Sequence, residues 1–318
     1  MKKEISCVNI HCSKYKDNSS QRDWIKHFGF YRRRCDSKLV QRFRCKICRK
    51  TFSNQTFNPN YRQHKPQINS MVRMTLCSKM SFRRIAKGLK INRKTVVRKF
   101  KFLAEVARQS QGRRLAKLES IDLVQIDEME TFEHSKCKPL SIALAVVPGT
   151  RIILGATASE MPAKGPLAEV SRKKYGRRRD DRKREFQNVL ERINSVTSGD
   201  LWIVSDKKTV YPNWIKGVLP QATHFKVKGR RGCVAGYGEM KRGGFDPLFY
   251  LNHTAATIRD NLARMLRRTW CGTKHLPCLQ DALDLHTDFH NEMMEKQDTQ
   301  PIDRDEYLAE CKFYGAFL

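Results

Sequence analysis

The residues best equipped for chemistry are a pair of aspartates and two pairs of cysteines. In "LWIVSDKKTVYPNWI", residues 201 to 215, an apolar run stops at a carboxylate, Asp206. In "IDLVQIDEMETF", 121 to 132, Asp127 sits among apolar residues in the same way. A single strand-end aspartate is commonly a turn or helix-cap residue. Two of them on neighbouring strands would repel unless cations lay between them. Magnesium suits such a site, because it takes a few carboxylates together with substrate phosphates. Two such ions roughly 3.5–4 Å apart activate an attacking oxygen and stabilise a leaving one. Cys7 and Cys12 ("CVNIHC") and Cys45 and Cys48 ("CKIC") form two close pairs. Each short loop can turn its sulfurs toward one tetrahedral zinc ion. The first pair is spaced more widely than the second, His11 could replace one thiol, and Cys35 is surplus.

Elements to position the aspartates are legible around them. After Asp127, "PLSIALAVV" (139 to 147) is nearly all apolar, as expected of a strand buried on both faces. Pro148 and Gly149 make a turn, and "RIILGATA" returns, which predicts a three-stranded antiparallel meander. "EFQNVLERINSV" then places Phe186, Val189, Leu190 and Ile193 on one helical stripe, and "LWIVSD" follows as a fourth strand. A strand-helix-strand crossover favours a parallel neighbour in the same sheet. If that neighbour is the first strand, Asp206 emerges beside Asp127. The expected fold class is therefore α/β.

Ahead of this region the chain changes character twice. Residues 1 to 60 are cysteine-rich and strand-like, and "GFYRRRCDSKLVQRFRC" reads as a hairpin with a polar turn near Asp36 that carries the second cysteine pair to the first. So small a unit lacks a sufficient core, and structural zinc can contribute about 10–16 kcal/mol of apparent binding free energy. "NPNYRQHKPQ" at 58 to 67 has the look of a linker. "MSFRRIAKGLKINRKTVVRKFKFL", 80 to 103, predicts two short helices capped by Ser81 and Asn92, with a third helix before them over roughly 68 to 79. Ile85 and Leu89 face inward on the first, and Val96, Phe100 and Leu103 on the second. The latter's other faces carry Arg93, Lys94, Thr95, Arg98 and Lys99, the donors that docking in a DNA major groove requires. An ordinary amphipathic helix pair with a solvated basic face has the same pattern.

Composition limits the partners. The chain of 318 residues has 63 Lys and Arg against 32 Asp and Glu, a formal charge of +31. Self-repulsion of that size favours a polyanionic partner, and nucleic acid is the expected one. A 40% hydrophobic content argues against a disordered tail protein. No run approaches the roughly 20 apolar residues needed to cross a bilayer, and the first residues lack the apolar core of a secretion signal. Eleven cysteines then point to metal ligands and buried thiols in a reducing, cytoplasmic setting, associated with the nucleoid. The run "RKKYGRRRDDRKR", 172 to 184, holds nine basic residues, Arg177 and Arg178 among them, that could track a DNA backbone or remain solvated. "KVKGRRGCVAGYGEMKRGG" suits a mobile glycine-rich loop near a substrate. His286 and His290, four apart on an expected helix, have no accompanying acid motif and read as surface or core residues.

Taken in order, these segments resemble insertion-sequence transposases of the DDE class, the insertion-sequence-one group and its relatives in particular. "QRFRCKICRKTFS" is similar to their zinc ribbon, "RRIAKGLKINRKTVVRKF" to their helix-turn-helix, "IDEMETF" to the strand with their first acid and "SDKKTVY" to the segment of their second. "LNHTAATIRDNLARMLRRTW" resembles the helix that bears their third. The resemblance implies a zinc ribbon over 1–60, a helix-turn-helix DNA-binding unit over 61–112, an RNase H-like catalytic domain over 118–295 and a tail, 296–318, with no assigned feature. It implies Mg²⁺ or Mn²⁺ on Asp127 and Asp206, zinc on the four cysteines, double-stranded DNA as partner, and a homodimer or higher assembly, because two element ends must be brought together. In the third position stands Asn252, with Arg259 two turns on. An amide can ligate a hard cation but brings no charge. Glu239 and Asp260 are the alternatives, and Asn252 could equally be a helix cap. A catalytically inactive, domesticated DNA-binding descendant and a general RNase H-like nuclease are the rival functions.

Overall fold

The structure is a computed structural model of the chain. It describes all residues except 1–4, 16, 18–22, 35–36, 59, 62, 119, 198, 228–244, 267–269, 298 and 317–318. The chain forms two compact units, Met1–Ser70 and Met71–Leu318.

The first unit is an antiparallel sheet of three strands in sequence order, β1 (Ile25–Arg32), β2 (Leu39–Cys45) and β3 (Thr51–Ser53). The register of β1 on β2 shifts between His27 and Phe30, a bulge that holds Gly29 at φ 71°. Phe43 pairs across the sheet with Phe52, and Ile25 with Cys45. Its buried core consists of Cys7, Cys12, Trp24, Phe43, Cys45 and Phe52. Half of those six are thiols, so apolar burial alone gives this unit little stability. Asp36 and Cys35 lie outside the described residues.

The boundary between the two units falls inside α1 (Asn69–Leu76), and the second unit continues with α2 (Phe82–Gly88) and α3 (Arg93–Leu115). Both expected caps form: Ser81 Oγ accepts from the Arg84 amide and Asn92 Oδ1 from that of Lys94. The helix after Asn92 is not short. It runs 23 residues, because Ala104, Ala107, Gln111 and Leu115 continue the buried stripe begun by Val96 and Phe100.

A mixed sheet follows, with β4 (Leu123–Phe132), β5 (Pro139–Val146), β6 (Ile153–Glu160), then α4 (Leu167–Tyr175), α5 (Arg182–Asn194), β7 (Trp202–Asp206), α6 (Tyr211–Lys216) and β8 (Thr223–Val227). The strand order is β6-β5-β4-β7-β8. β4, β5 and β6 form the antiparallel meander, and β7 and β8 add in parallel beside β4. The meander turns at Gly149, whose φ of 82° and 2.3 Å clearance to the Gln300 carbonyl admit no side chain. On one face α5 buries Phe186, Val189, Leu190 and Ile193 against Val124, Ile126 and Ile203, each worth roughly 1.5–3 kcal/mol. A Cβ on Gly155 would stand 3.1 Å from Val189, so that glycine sets how closely helix and sheet approach.

The other face takes α7 (Phe249–Asn261) over β4 and β5, and α8 (Leu276–Glu295) over β6 and α3. His286 and His290 on α8 are core residues: His290 Nε2 meets the Arg151 carbonyl at 3.0 Å, and burial lowers both pKa values, to about 3 and about 4. The tail forms a capped helix, α9 (Arg304–Phe313), which the sequence reading left without a feature. No helix among the described residues is long and apolar enough to cross a membrane.

Candidate functional site

β4 and β7 run parallel, with Gln125 opposite Val204. Two residues further along each strand stand Asp127, midway along β4, and Asp206, the last residue of β7, the end at which open parallel sheets bind ligands. Burial and then the charge of Asp206 push the Asp127 carboxyl up to about 6. Its Oδ1 accepts from the Glu128 amide at 2.6 Å and from the Tyr211 hydroxyl at 2.9 Å. Asp206 Oδ1 accepts from the Lys208 amide at 3.1 Å, so the turn after β7 fixes that carboxylate. Two carboxylates whose charges oppose each other on the edge of an apolar core are a fit for a hard cation.

Three residues beside this pair went unread in the sequence. The Glu128 side chain is 2% exposed; it accepts from Ser141 Oγ at 2.6 Å and forms an ion pair with Lys208. Tyr211, at the first turn of α6, also reaches Glu128 Oε2 at 3.3 Å. Its one proton can go to a single acceptor, and the shorter contact selects Asp127. Burial and the neighbouring carboxylates raise the Tyr211 pKa, so the hydroxyl keeps its proton. The available signal was local: an acid adjoining Asp127, and a lysine and tyrosine two and five residues after Asp206.

The covering helix α7 is fastened to β4 by Gln125, which shares a strand face with Asp127. Gln125 Oε1 accepts from the Leu251 amide at 3.0 Å, and its Nε2 donates to the Pro247 carbonyl at 2.8 Å. Tyr307 of α9 donates to the same carbonyl at 2.6 Å. Held this way, Asn252 and Arg259 line a cleft of about 190 Å³ together with Asp127 and Glu128. Asn252 Nδ2 donates to Asp246 Oδ2 at 2.9 Å, which leaves its carbonyl oxygen as the end suited to a cation. Asp260 is not among the residues that line the cleft, and it forms an exposed ion pair with Lys79 at 2.6 Å. Glu239 lies outside the described residues.

Among the described residues one group of three or more acids, histidines or cysteines is spaced to hold a metal ion: Cys7, Cys12, Cys45 and Cys48, their ligand atoms all within 4.8 Å of one another. Cys7 and Cys48 are 3.4 Å apart and Cys12 and Cys45 3.9 Å. Tetrahedral zinc at about 2.3 Å from each sulfur places sulfurs about 3.8 Å apart, so the set could hold a metal such as zinc. Burial pushes the Cys7 thiol up to about 12. His11 is exposed and outside the group.

The expected DNA-contacting residues separate into two sets. Arg93, Lys94 and Arg98 are exposed along α3, and Thr95 is half-buried among them. Lys99 is not on that face. It is 3% exposed, three residues after Val96 on the buried stripe, and burial lowers its pKa. Arg177 is exposed, whereas the Arg178 side chain is 7% exposed and donates to the Met161 and Pro139 carbonyls. Arg178 closes the ends of β5 and β6 and is not open to a phosphate.

No protein-family model and no curated protein matches the sequence.

Proposed function

We propose that the chain is a DNA transposase of the DDE class, with an RNase H-like reading of the β4–β8 sheet and a helix-turn-helix reading of α1 to α3. The observation that carries this is the placement of Asp127 and Asp206 two residues beyond the paired Gln125 and Val204 on adjacent parallel strands, with the first carboxyl raised by burial and then by the charge of the second. Asp127 and Asp206 would hold Mg²⁺ or Mn²⁺, with the Asn252 carbonyl as a third ligand. Bound there, divalent ions supply Lewis-acid activation of the attacking oxygen and charge stabilisation of the leaving one. Tyr211 and the Lys208 amide orient the two carboxylates. Arg259, on the cleft wall, would meet the scissile phosphate. In the first reaction a water oxygen bonds to phosphorus, the bond to the 3′-oxygen breaks, and that oxygen leaves as a hydroxyl. In the second, this 3′-hydroxyl displaces the 3′-oxygen of a target phosphodiester. The four cysteines would hold structural zinc, and α3 would dock in the major groove of an element end.

One observation favours a second reading, a DNA-binding protein without catalysis: the third position is an uncharged amide already bonded to Asp246. Duplexes carrying the DNA that flanks the gene, incubated with Mg²⁺ or Mn²⁺, separate the two. Transposase activity gives nicks at the element ends that the metal-free reaction lacks; the second reading gives end-specific binding and no nicks.

Binding has its own test. The slope of log affinity against log salt falls by about 0.9 for each phosphate contact removed. Arg93→Ala, Lys94→Ala and Arg98→Ala are each expected to flatten it by up to that amount. Lys99→Ala and Arg178→Ala should leave the slope unchanged and lower the melting temperature instead. Equal slopes for all five variants would remove α3 from the interface.

A further inference from the structure

A cavity of about 580 Å³ in the second unit is remote in character from the acidic cleft. Its size falls within the roughly 300–1,000 Å³ of small-ligand sites. It lies among α1, α2, the start of α3, the segment after α7, and α8. Phe82 and Phe100 supply aromatic wall, their rings 5.2 Å apart with the Arg264 guanidinium 5.0 Å from the first and 5.3 Å from the second. At the rim stands Trp270, 97% exposed, in a chain that otherwise keeps its tryptophans buried or half-buried. The turn after it is tethered: the Thr273 amide and hydroxyl both donate to the Arg264 carbonyl at 3.1 Å. Among the described residues the charged lining of the cavity is Arg83, Arg93, Arg264 and Lys274, with no carboxylate.

A largely apolar slot with aromatic walls, whose charged lining among the described residues is cationic, matches one class of ligand, a flat ring carried on a phosphate backbone. We propose that this cavity receives an unpaired nucleobase of a nucleic-acid strand, with Trp270 as the stacking face and Arg83, Arg93 and Lys274 on the flanking phosphates. The site adjoins the exposed basic start of α3, so a strand leaving a duplex on that helix would reach it without crossing the molecule. The inference rests on the nucleic-acid-binding part of the reading above and is independent of the aspartate pair. A second copy of this chain is the competing occupant, disfavoured because a rim of like charge on both copies repels.

The full chain is titrated with a thymidine 15-mer and, separately, with a blunt duplex, following both affinity and tryptophan emission. The strand is expected to quench emission and to protect it from iodide, a response absent in Trp270→Phe, whose emission comes from the three remaining tryptophans. Trp270→Ala is expected to weaken single-strand binding about tenfold while duplex binding stays within about twofold, and Trp270→Phe to regain most of the loss. Arg83→Gln with Lys274→Gln should weaken the single strand without altering the melting temperature. Equal weakening of strand and duplex by Trp270→Ala, or wild-type emission that ignores the strand, would overturn the site while leaving duplex recognition standing. Emission that shifts with protein concentration in the absence of nucleic acid would assign the cavity to a second copy and overturn it too. If wild type binds neither strand nor duplex, the nucleic-acid reading itself is what fails.

Discussion

Asp127→Asn is expected to melt at a higher temperature than wild type when both are metal-free above pH 7, and to cleave DNA on the order of 10³-fold more slowly. Both effects come from one carboxylate. Folding raises the Asp127 pKa from an ordinary 3.8 to about 6, through burial and the Asp206 charge. Between those values the folded chain keeps a proton that the unfolded chain has lost. Stability therefore falls as pH rises through that window, and above pH 6 the full cost is present. Two units correspond to about 3 kcal/mol. Asparagine removes the charge, keeps an oxygen for the Tyr211 hydroxyl and occupies the same volume. The gain should shrink as pH falls through that window and vanish below about pH 3, where wild type is protonated in both states. A variant less stable than wild type at every pH would mean that Asp127 is a structural acid satisfied by its neighbours.

The second large effect concerns the cysteine cluster. Cys45 is the most deeply buried of the four thiols and ends the central strand of its sheet. With a core of six buried residues, the unit gains little from apolar burial, and structural zinc supplies about 10–16 kcal/mol in small domains of this kind. Chelation, or Cys45→Ser, is expected to abolish hydrogen-exchange protection across β1, β2 and β3. The β4–β8 sheet should keep its protection, because its core under α5 is built from large aliphatic and aromatic side chains. One equivalent of zinc should be released per chain. Retention of β1–β3 protection after complete metal removal would show that the thiols pack as an ordinary reduced core.

How far the sequence revealed this arrangement depended on the range of each signal. The meander, the α5 stripe and both helix caps were readable because each depends on residues within a few positions of one another. Asp127 and Asp206 could be paired because a crossover connection constrains which strands adjoin. Lys99 and Arg178 were misplaced since a basic residue reads as surface, while a long aliphatic stem can lie in a core with its head on backbone carbonyls, as Arg178 does. The ion pair of Asp260 with Lys79, distant in sequence, was not legible either. Gln125 read as one more strand residue, and α9 as a featureless polar tail. Their roles consist of hydrogen bonds to the same carbonyl, that of Pro247, which no periodicity encodes.

Everything catalytic in this account depends on Asp127 and Asp206 holding the same cation. Calorimetric titration of Mn²⁺ into zinc-loaded wild type, Asp127→Asn and Asp206→Asn tests this directly. The expected result is saturable binding in wild type and a loss of at least about 100-fold in each single variant, since either charge alone leaves a hard cation poorly neutralised. Unchanged Mn²⁺ affinity in Asp206→Asn, with the fold intact, would contradict it.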